Sequence, residues 1–113
     1  MEIKAIFHID EIDKWKLVIG NVNNLCDGID MNHSHIEILA NSSSVKMLVL
    51  RETIFKSELE ALFNRNVKIV ACNNSLKGLN ISKSDLLNIV EIALIGVKEL
   101  IEKQSDGFAY IKP

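Results

Sequence analysis

The chain has 113 residues, 48% of them hydrophobic, and its 13 Lys and Arg against 15 Asp and Glu give a net charge of −2. This length fits a single domain, residues 1–113, that is large enough to bury a hydrophobic core. The slightly negative charge offers no basic surface for nucleic acid or anionic lipid, so we expect neither partner. Charged residues interrupt every apolar run well before the roughly 20 residues that span a bilayer, so we expect a soluble protein with no membrane segment.

The N-terminus and the cysteines indicate the compartment. Residues 1–4 lead directly into an apolar segment, without the basic start and longer apolar stretch of a secretory signal. Cys26 and Cys72 lie far apart in the sequence. With no sign of export, we expect a cytoplasmic protein whose cysteines are reduced and form no structural disulfide.

The first half of the chain alternates between strand and helix patterns. Residues 3–9 form a short apolar run bounded by acidic residues, which predicts a first strand buried on both faces. From Asp10 to near Gly28, apolar residues recur at intervals of three and four, which predicts an amphipathic helix. That apolar stripe consists of Trp15, Val18, Ile19, Val22, Leu25, Cys26 and Ile29. Residues 36–40 predict a second strand.

The middle of the chain predicts two helical segments and a third strand. Residues 41–44 read as a loop whose hydroxyl groups cap helical turns that begin at Val45. Apolar residues between Phe55 and Phe63 predict a further helix, and Asn66 suits the left-handed conformation that often ends one. Residues 67–72 predict the third strand, which ends in Cys72 and is followed by a polar turn at residues 73–75.

The last third of the chain predicts two more strands around a helix. Ser82 and Asp85 form a capping pair for a short helical turn. Residues 89–92 fit a fourth strand, with helix as the alternative, residues 94–104 return to helical spacing, and residues 108–111 fit a fifth strand. Alternating strands and helices of these lengths indicate βαβ units. We therefore predict an α/β fold, a three-layer α/β/α sandwich with a mainly parallel sheet of about five strands.

Cys72 is the main candidate for a functional residue because it ends a strand. In an open parallel sheet, ligands and chemistry collect just beyond the carboxyl ends of the strands. His8 lies near the end of the first strand and Asn41 follows the second, so we expect both of them close to Cys72. The alternative is that Cys72 is a small buried hydrophobic residue, as free cysteines often are.

Groups around Cys72 could favour the thiolate, which is the nucleophilic form of cysteine. His8, Lys77 and the backbone amides of Asn73, Asn74 and Ser75 are the candidates, and we interpret them with Asn41 as binding residues. We expect Cys72 to be reachable from a pocket and more reactive than the second thiol. Cys26, on the apolar stripe of the first helix, is expected to pack in the core.

Metal and cofactor motifs are missing from the sequence. His33 and His35 lack the third and fourth ligands of a metal site, and we interpret them as part of a solvated loop. Residues 42–44 lack the glycine that lets a backbone approach phosphate closely. There is no G-x-G-x-x-G, no Walker lysine loop and no C-x-x-C, and Cys72 stands where a receiver domain has its aspartate. We expect no metal and no cofactor.

Three segments of the chain resemble the DsrE/DsrF-like family. They are residues 4–9, Lys-Ala-Ile-Phe-His-Ile, residues 67–76 around Cys72, and residues 104–113 with their Gln, Gly, Tyr, Ile and Pro. The resemblance covers essentially the whole chain and implies the three-layer fold. It also implies sulfur oxidation or sulfur relay to transfer RNA modification, in which a cysteine after the third strand carries sulfur as a persulfide.

Cys72 matches the position of that persulfide cysteine. Sulfur-relay members have an Arg-Gly pair a few residues later, where this chain has Lys77 and Gly78. Lysine keeps the charge of arginine but lacks its planar fork of donors. The resemblance further implies a homotrimer or homohexamer, and a sulfur-transfer protein as partner.

Two functions remain open at this point, and the sequence does not decide whether the protein is an enzyme. In the first, the protein accepts sulfane sulfur on Cys72 and passes it to a partner thiol, as a carrier. In the second, it is a non-catalytic oligomer that binds a small molecule or a partner through His8, Asn41 and Asn73, while Cys72 only packs.

Overall fold

The structure is a computed structural model that describes all 113 residues. The chain forms five strands and four α-helices, joined by short 3₁₀ helices. The strands are β1 (Lys4–Ile9), β2 (His35–Ala40), β3 (Val67–Cys72), β4 (Val90–Ala93) and β5 (Ala109–Ile111). The α-helices are α1 (Trp15–Asp27), α2 (Lys56–Asn64), α3 (Asn73–Gly78) and α4 (Gly96–Ser105). None of these helices combines the length and the apolar character needed to cross a membrane.

The five strands form one sheet in the order β4-β3-β2-β1-β5, and every pair is parallel. The chain steps outward from β1 to β4 and then crosses back to add β5 beside β1. Parallel crossovers are right-handed, so the three outward steps put α1, α2 and α3 on one face. The return step puts α4 on the other. The predicted α/β/α sandwich is thus confirmed, with a sheet that is wholly parallel.

The two faces of the sheet are covered very differently. The face under α1, α2 and α3 belongs to a core cluster of 23 buried residues, whereas the face under α4 has a buried cluster of only four. Those four residues are Ile6, Leu39, Val70 and Leu100. We call the thinly covered side the α4 face. In parallel pairs, partners in register point to the same side, so this face also carries His8, Glu37, Lys68, Cys72 and Tyr110.

Several sequence predictions about local structure are confirmed. Asn66 has a φ of 70°, in the left-handed region, directly after α2 and its C-cap. Ser82 and Asp85 form a reciprocal capping box. The fourth strand is a strand and not a helix, because residues 90–93 pair with residues 69–72 of β3.

Three local predictions are wrong. The polar turn at residues 73–75 is the first part of α3, which begins directly after Cys72 because Cys72 keeps extended angles as its N-cap. Asn and Ser are as common at helix starts as in turns, so the pattern could not separate the two. The helix predicted from Asp10 begins with the 3₁₀ turn Ile12–Lys14 and becomes α-helical at Trp15.

The third wrong prediction concerns the serines after β2. Residues 42–44 do not cap a helix from outside but lie inside the 3₁₀ helix Ser42–Leu48, whose N-cap makes no side-chain hydrogen bond. The Ser44 hydroxyl instead contacts the carbonyl oxygens of Ile9, at 2.8 Å, and of Asn41, at 2.6 Å. The Ser44 hydroxyl therefore donates to β1 across 35 positions of sequence and does not accept from a backbone N–H as a cap would.

Candidate functional site

The Cys72 side chain lies at the carboxyl edge of the sheet, where the strands end, and beneath the first residue of α4. Only 6% of Cys72 is exposed. A Cβ atom built on Gly96 would lie 2.9 Å from both Cβ and Sγ of Cys72, so the helix start can pack here only as glycine. The expectation that Cys72 is reachable from a pocket is therefore wrong for the single chain, because the start of α4 covers the thiol.

Hydrogen-bond donors near Cys72 nevertheless lower the pKa of its thiol. Burial acts to raise the pKa of the thiol, but the backbone N–H and hydroxyl of Ser75 and the backbone N–H groups of Gly96 and Asn74 act in the opposite direction. Together they outweigh burial and hold the pKa of Cys72 below its ordinary value. The thiolate is therefore stabilised by dipoles from the first turns of α3 and α4.

The Ser75 hydroxyl is oriented by a second contact. Its oxygen accepts a hydrogen bond of 2.8 Å from the backbone N–H of Ser42. The hydroxyl hydrogen is therefore left to be donated to the Cys72 sulfur. Ser42 has a φ of 52°, a conformation that is uncommon for a residue with a Cβ. Ser42 thus links the segment after β2 to the thiol at the end of β3.

A second polar cluster lies at the same edge, at the end of β1. His8 Nε2 is 3.0 Å from Asn41 Oδ1, and His8 Nδ1 is 2.7 Å from the Tyr110 hydroxyl. In the neutral tautomer, Nε2–H donates to Asn41 and Nδ1 accepts from Tyr110. Asn41 follows Ala40, which pairs with Ala71, so the cluster is adjacent to the strand position of Cys72.

Tyr110 was not predicted as a site residue. It lies on β5, which pairs with β1 in the register Ile6↔Tyr110. The sequence shows a strand there but not its position beside β1, because the return crossover could have placed it at either edge of the sheet. Tertiary structure alone brings this phenol to His8.

The side chains of the remaining candidate residues are not among the groups that lower the pKa of Cys72 most. Asn73 is half-buried, and Asn74 and Lys77 are exposed on α3. Lys77 lies in the last turn of that helix, whereas the amides that act on the thiol come from the first turn. His8 and Lys77 are not among the groups that lower the pKa of Cys72 most. Hydrogen-bond donors, and not the positive charges of these residues, are the main groups that lower it.

The other thiol has a different environment. Cys26 is 4% exposed on α1 and belongs to the large core cluster, and burial raises its pKa. His33 forms a 2.6 Å contact with Asp30, and His35 lies 3.7 Å from Glu2. No group of three or more His, Cys, Asp and Glu side chains is arranged to hold a metal ion.

The sequence reading also missed Glu37, a carboxylate buried in the middle of β2. Glu37 is 1% exposed and faces α4, and neither carboxylate oxygen has a hydrogen-bond partner. Its Oε1 lies 3.9 Å from Lys68 Nζ and 3.7 Å from Lys103 Nζ. A single acid between Ile36 and Ile38 in an apolar strand was the available signal.

The protonation of Glu37 follows from its burial. Burial, the neighbouring carboxyl group of Glu99 and its charge raise the pKa of Glu37 to about 8, against the opposing effect of Lys68 and Lys103. Two carboxylates are both acceptors, so the contact with Glu99 becomes a hydrogen bond only when one of them is protonated. The pair therefore retains a proton at neutral pH.

The chain is a small parallel α/β sandwich with a buried cysteine at the end of β3. The model of the DsrE/DsrF-like family matches residues 27–113. The chain belongs to the DsrE/DsrF-like family.

Two solved structures extend the comparison to the N-terminal strand. The protein of unknown function MTH1491 from Methanobacterium thermoautotrophicum is 31% identical, with a TM-score of 0.90 over 98% of this chain and 99% of that one. The ychN protein from E. coli is 16% identical, with a TM-score of 0.75 over the same shares, and this likeness concerns the fold alone. No match is found among curated proteins.

Proposed function

We propose that the protein is a sulfur carrier, which accepts sulfane sulfur as a persulfide on Cys72 and passes it to the thiol of a partner protein. The observation that carries this proposal is that hydrogen-bond donors of Ser75, Gly96 and Asn74 lower the pKa of the Cys72 thiol. A thiolate is the reactive form in sulfur exchange. Family membership supports the same assignment.

The transfer is an exchange with no net oxidation. The Cys72 thiolate attacks the outer sulfur of a donor persulfide, the new S–S bond forms, and the donor leaves as a thiolate. Cys72 now holds a persulfide. An acceptor thiolate then attacks the outer sulfur of that persulfide and releases the Cys72 thiolate. The hydrogen-bond donors that stabilise the Cys72 thiolate in the resting protein stabilise it again when it is the leaving group.

Access to Cys72 requires movement of the start of α4, because the thiol is only 6% exposed. Only Gly96 and Leu100 of this helix are buried, so few contacts hold it to the sheet. Elements with few buried apolar contacts open at low free energy. Opening of α4 therefore gives the donor and the acceptor a route to the sulfur.

Self-association into a homotrimer or homohexamer forms part of the proposal. Leu94, Ile95, Val97 and Ile101 are exposed apolar residues on or beside α4. Contiguous exposed apolar surface commonly marks a protein interface. A neighbouring subunit at this position would also control how far the start of α4 can move. Sedimentation that shows only monomer at micromolar concentration would contradict this part.

The burial of Cys72 is the specific observation in favour of the second function. In that case the protein binds a small molecule or a partner through His8, Asn41 and Asn73, and Cys72 only packs against Gly96. The hydrogen bonds with Asn41 and Tyr110 hold the His8 ring in one orientation, as recognition requires. The two functions differ in whether the thiol ever takes up sulfur.

Intact-mass spectrometry after incubation with a persulfide donor separates them. We expect the native chain and Cys26→Ser to gain the mass of one sulfur atom and to lose it to an added acceptor thiol. Cys72→Ser, which is nearly isosteric, should gain none while remaining folded. Sulfur uptake by Cys72→Ser equal to that of the native chain, or loss of uptake in Cys26→Ser alone, would contradict the carrier function.

A further inference from the structure

A recess of the α4 face lies at the opposite edge of the sheet from Cys72, where the strands begin. It is a cavity of about 430 Å³, within the range of small-molecule sites. Its lining includes Ser34, His35, Glu37, Lys68, Lys103 and Phe108. We call it the amino-edge cavity. Because a helix rises about 1.5 Å per residue, Lys103 lies roughly 10 Å along α4 from Gly96, so this cavity is distinct from the thiol site.

The cavity is built around a buried polar group without a partner. Glu37 lines it while only 1% exposed, and both of its oxygens lack hydrogen bonds. Lys68 and Lys103 stand at 3.9 and 3.7 Å, beyond hydrogen-bond distance. A buried polar group that forms no hydrogen bond is destabilising, and native proteins rarely keep one without a function.

The charges in the cavity select an anion. Lys68 and Lys103 are its two ammonium groups, and the only carboxyl group in the lining is Glu37. With Glu37 neutral at pH 7, as its raised pKa requires, the lining carries positive charge in a protein whose net charge is −2. A neutral carboxyl is also a hydrogen-bond donor. When the Glu37 proton turns from Glu99 to the ligand, all three side chains can donate to one group of anionic oxygens.

The ring of Phe108 supplies an apolar wall. Lys103 Nζ lies 5.1 Å from the ring centroid, so the charge and the aromatic surface meet at one point. A flat apolar group can lie against the ring while its anionic end reaches the lysines. Inorganic oxyanions would leave this wall unused.

We propose that the amino-edge cavity binds a small aromatic carboxylate, with its carboxylate group between Lys68, Lys103 and Glu37 and its ring against Phe108. This site is independent of sulfur transfer at Cys72. Its ligand interacts with the C-terminal half of α4, whereas the thiol lies under the first residue of the same helix.

The groups around Glu37 also give the site a pH dependence. Glu37 faces Glu99 and Lys103 from α4 and Lys68 from β3, while its register partner on β1 is the uncharged Ile6. Lys68 also lies 3.9 Å from Glu91 of β4. When the pH rises above about 8, Glu37 loses its proton and opposes an anion, so binding weakens.

The test is a titration of the full chain with benzoate, followed by amide chemical shifts in two-dimensional NMR. We expect saturable shifts confined to the lining of the cavity, and weaker binding to the neutral isostere benzamide and to inorganic phosphate. Lys103→Met, which keeps most of the side-chain length, should weaken benzoate binding at least tenfold. Lys98→Met removes the same charge from an exposed position of α4 outside the cavity and should leave binding unchanged.

Several outcomes would overturn the proposal. They are equal weakening by Lys103→Met and Lys98→Met, binding of benzamide or phosphate as tight as that of benzoate, and shifts scattered outside the cavity. If Lys103→Met does not fold, Lys68→Met tests the same contact from β3, where the side chain is 39% exposed. Binding that does not weaken between pH 7 and pH 9 would likewise contradict the role of Glu37.

Discussion

Two buried ionisable groups, Cys72 and Glu37, lie under the same helix, and their pKa values are shifted in opposite directions. At the carboxyl edge, hydrogen-bond donors of Ser75, Gly96 and Asn74 lower the pKa of the Cys72 thiol. At the amino edge, the Glu37 carboxylate lacks hydrogen bonds, and its pKa is raised to about 8. Burial acts in the same direction on both groups. Hydrogen-bond donors outweigh burial at Cys72, whereas at Glu37 burial is the largest effect and Glu99 adds to it.

The supply of donors follows from the position along the strand. Cys72 ends β3 and precedes α3, so it meets backbone N–H groups that a starting helix leaves unpaired. Glu37 lies inside β2, where the neighbouring strands use the backbone N–H groups for the sheet. Only side chains remain as hydrogen-bond donors to Glu37, and the two nearby lysines lie beyond hydrogen-bond distance.

Of the substitutions that test this comparison, Glu37→Gln should have the largest effect on stability. The pKa of Glu37 is raised from 4.5 to about 8, so the folded chain binds more protons than the unfolded chain between these values. The stability of the native chain therefore falls as the pH rises through that window. Glu37→Gln stays neutral and lacks this loss. Between pH 5 and pH 9, its free energy of unfolding should therefore rise relative to that of the native chain by on the order of 2–4 kcal/mol.

Urea unfolding at a series of pH values measures the effect. The matched control is Glu102→Gln, an exposed acid on the same helix that covers Glu37. The free energy of unfolding of this control should stay within about 0.5 kcal/mol of the native value at every pH. A constant difference between Glu37→Gln and the native chain from pH 5 to pH 9 would show that Glu37 is already ionised at neutral pH.

Substitution of Gly96 should have the next largest effect, because it breaks the contact over Cys72. A Cβ at Gly96 would lie 2.9 Å from the side chain of Cys72, whereas one at Gly20 of α1 would meet nothing within 4 Å. We expect Gly96→Ala to lower the free energy of unfolding by about 1–3 kcal/mol through overpacking. The control Gly20→Ala should raise it by about 0.5–1 kcal/mol, because alanine favours the helix.

Thiol labelling sharpens the same experiment. If α4 is displaced by the added methyl group, Cys72 should react faster with an alkylating reagent in Gly96→Ala than in Gly20→Ala. Cys26, buried in the core of the other face, should react at the same rate in both. Equal stabilities for the two alanine variants would mean that α4 does not pack on the thiol.

Substitution of Ser75 should have the smallest effect on stability and a selective effect on the thiol. Ser75→Ala removes a donor to the Cys72 sulfur and the acceptor for the Ser42 N–H, so we expect a loss of about 1 kcal/mol. The pKa of Cys72 should move up, which the ultraviolet absorbance of the thiolate against pH measures. Ser105→Ala, at the exposed end of α4, is the control. An unchanged titration in Ser75→Ala would assign the low pKa to the backbone amides alone.

The layers of the fold could be predicted because each element carries its own periodicity. Apolar runs at residues 3–9 and 67–72 and the three-to-four spacing from Trp15 onward correspond to β1, β3 and α1. Asn66 in the left-handed conformation and the Ser82–Asp85 capping box also followed from residue type. These features depend on interactions over one or two turns of chain, which a sequence shows directly.

The candidate site could be predicted only in part. Cys72 at a strand end and His8 beside Asn41 followed from the shared edge of parallel strands. The cover by Gly96, the phenol of Tyr110 and the orienting contact from Ser42 did not, because the shared strand edge does not specify how α4, β5 and the segment after β2 are placed. Glu37 was read as part of a strand, and nothing local indicated which face it would occupy.

The sequence by itself determined the α/β class, the order of the elements and the thiol that ends β3, because secondary structure follows the local pattern of apolar, polar and turn residues. Tertiary structure decided the rest. The return crossover from β4 to β5 put α4 alone on one face, and that helix brings Gly96 over Cys72 and Lys103 over Glu37. The ionisation of both groups depends on donors and charges that folding brings from distant parts of the chain.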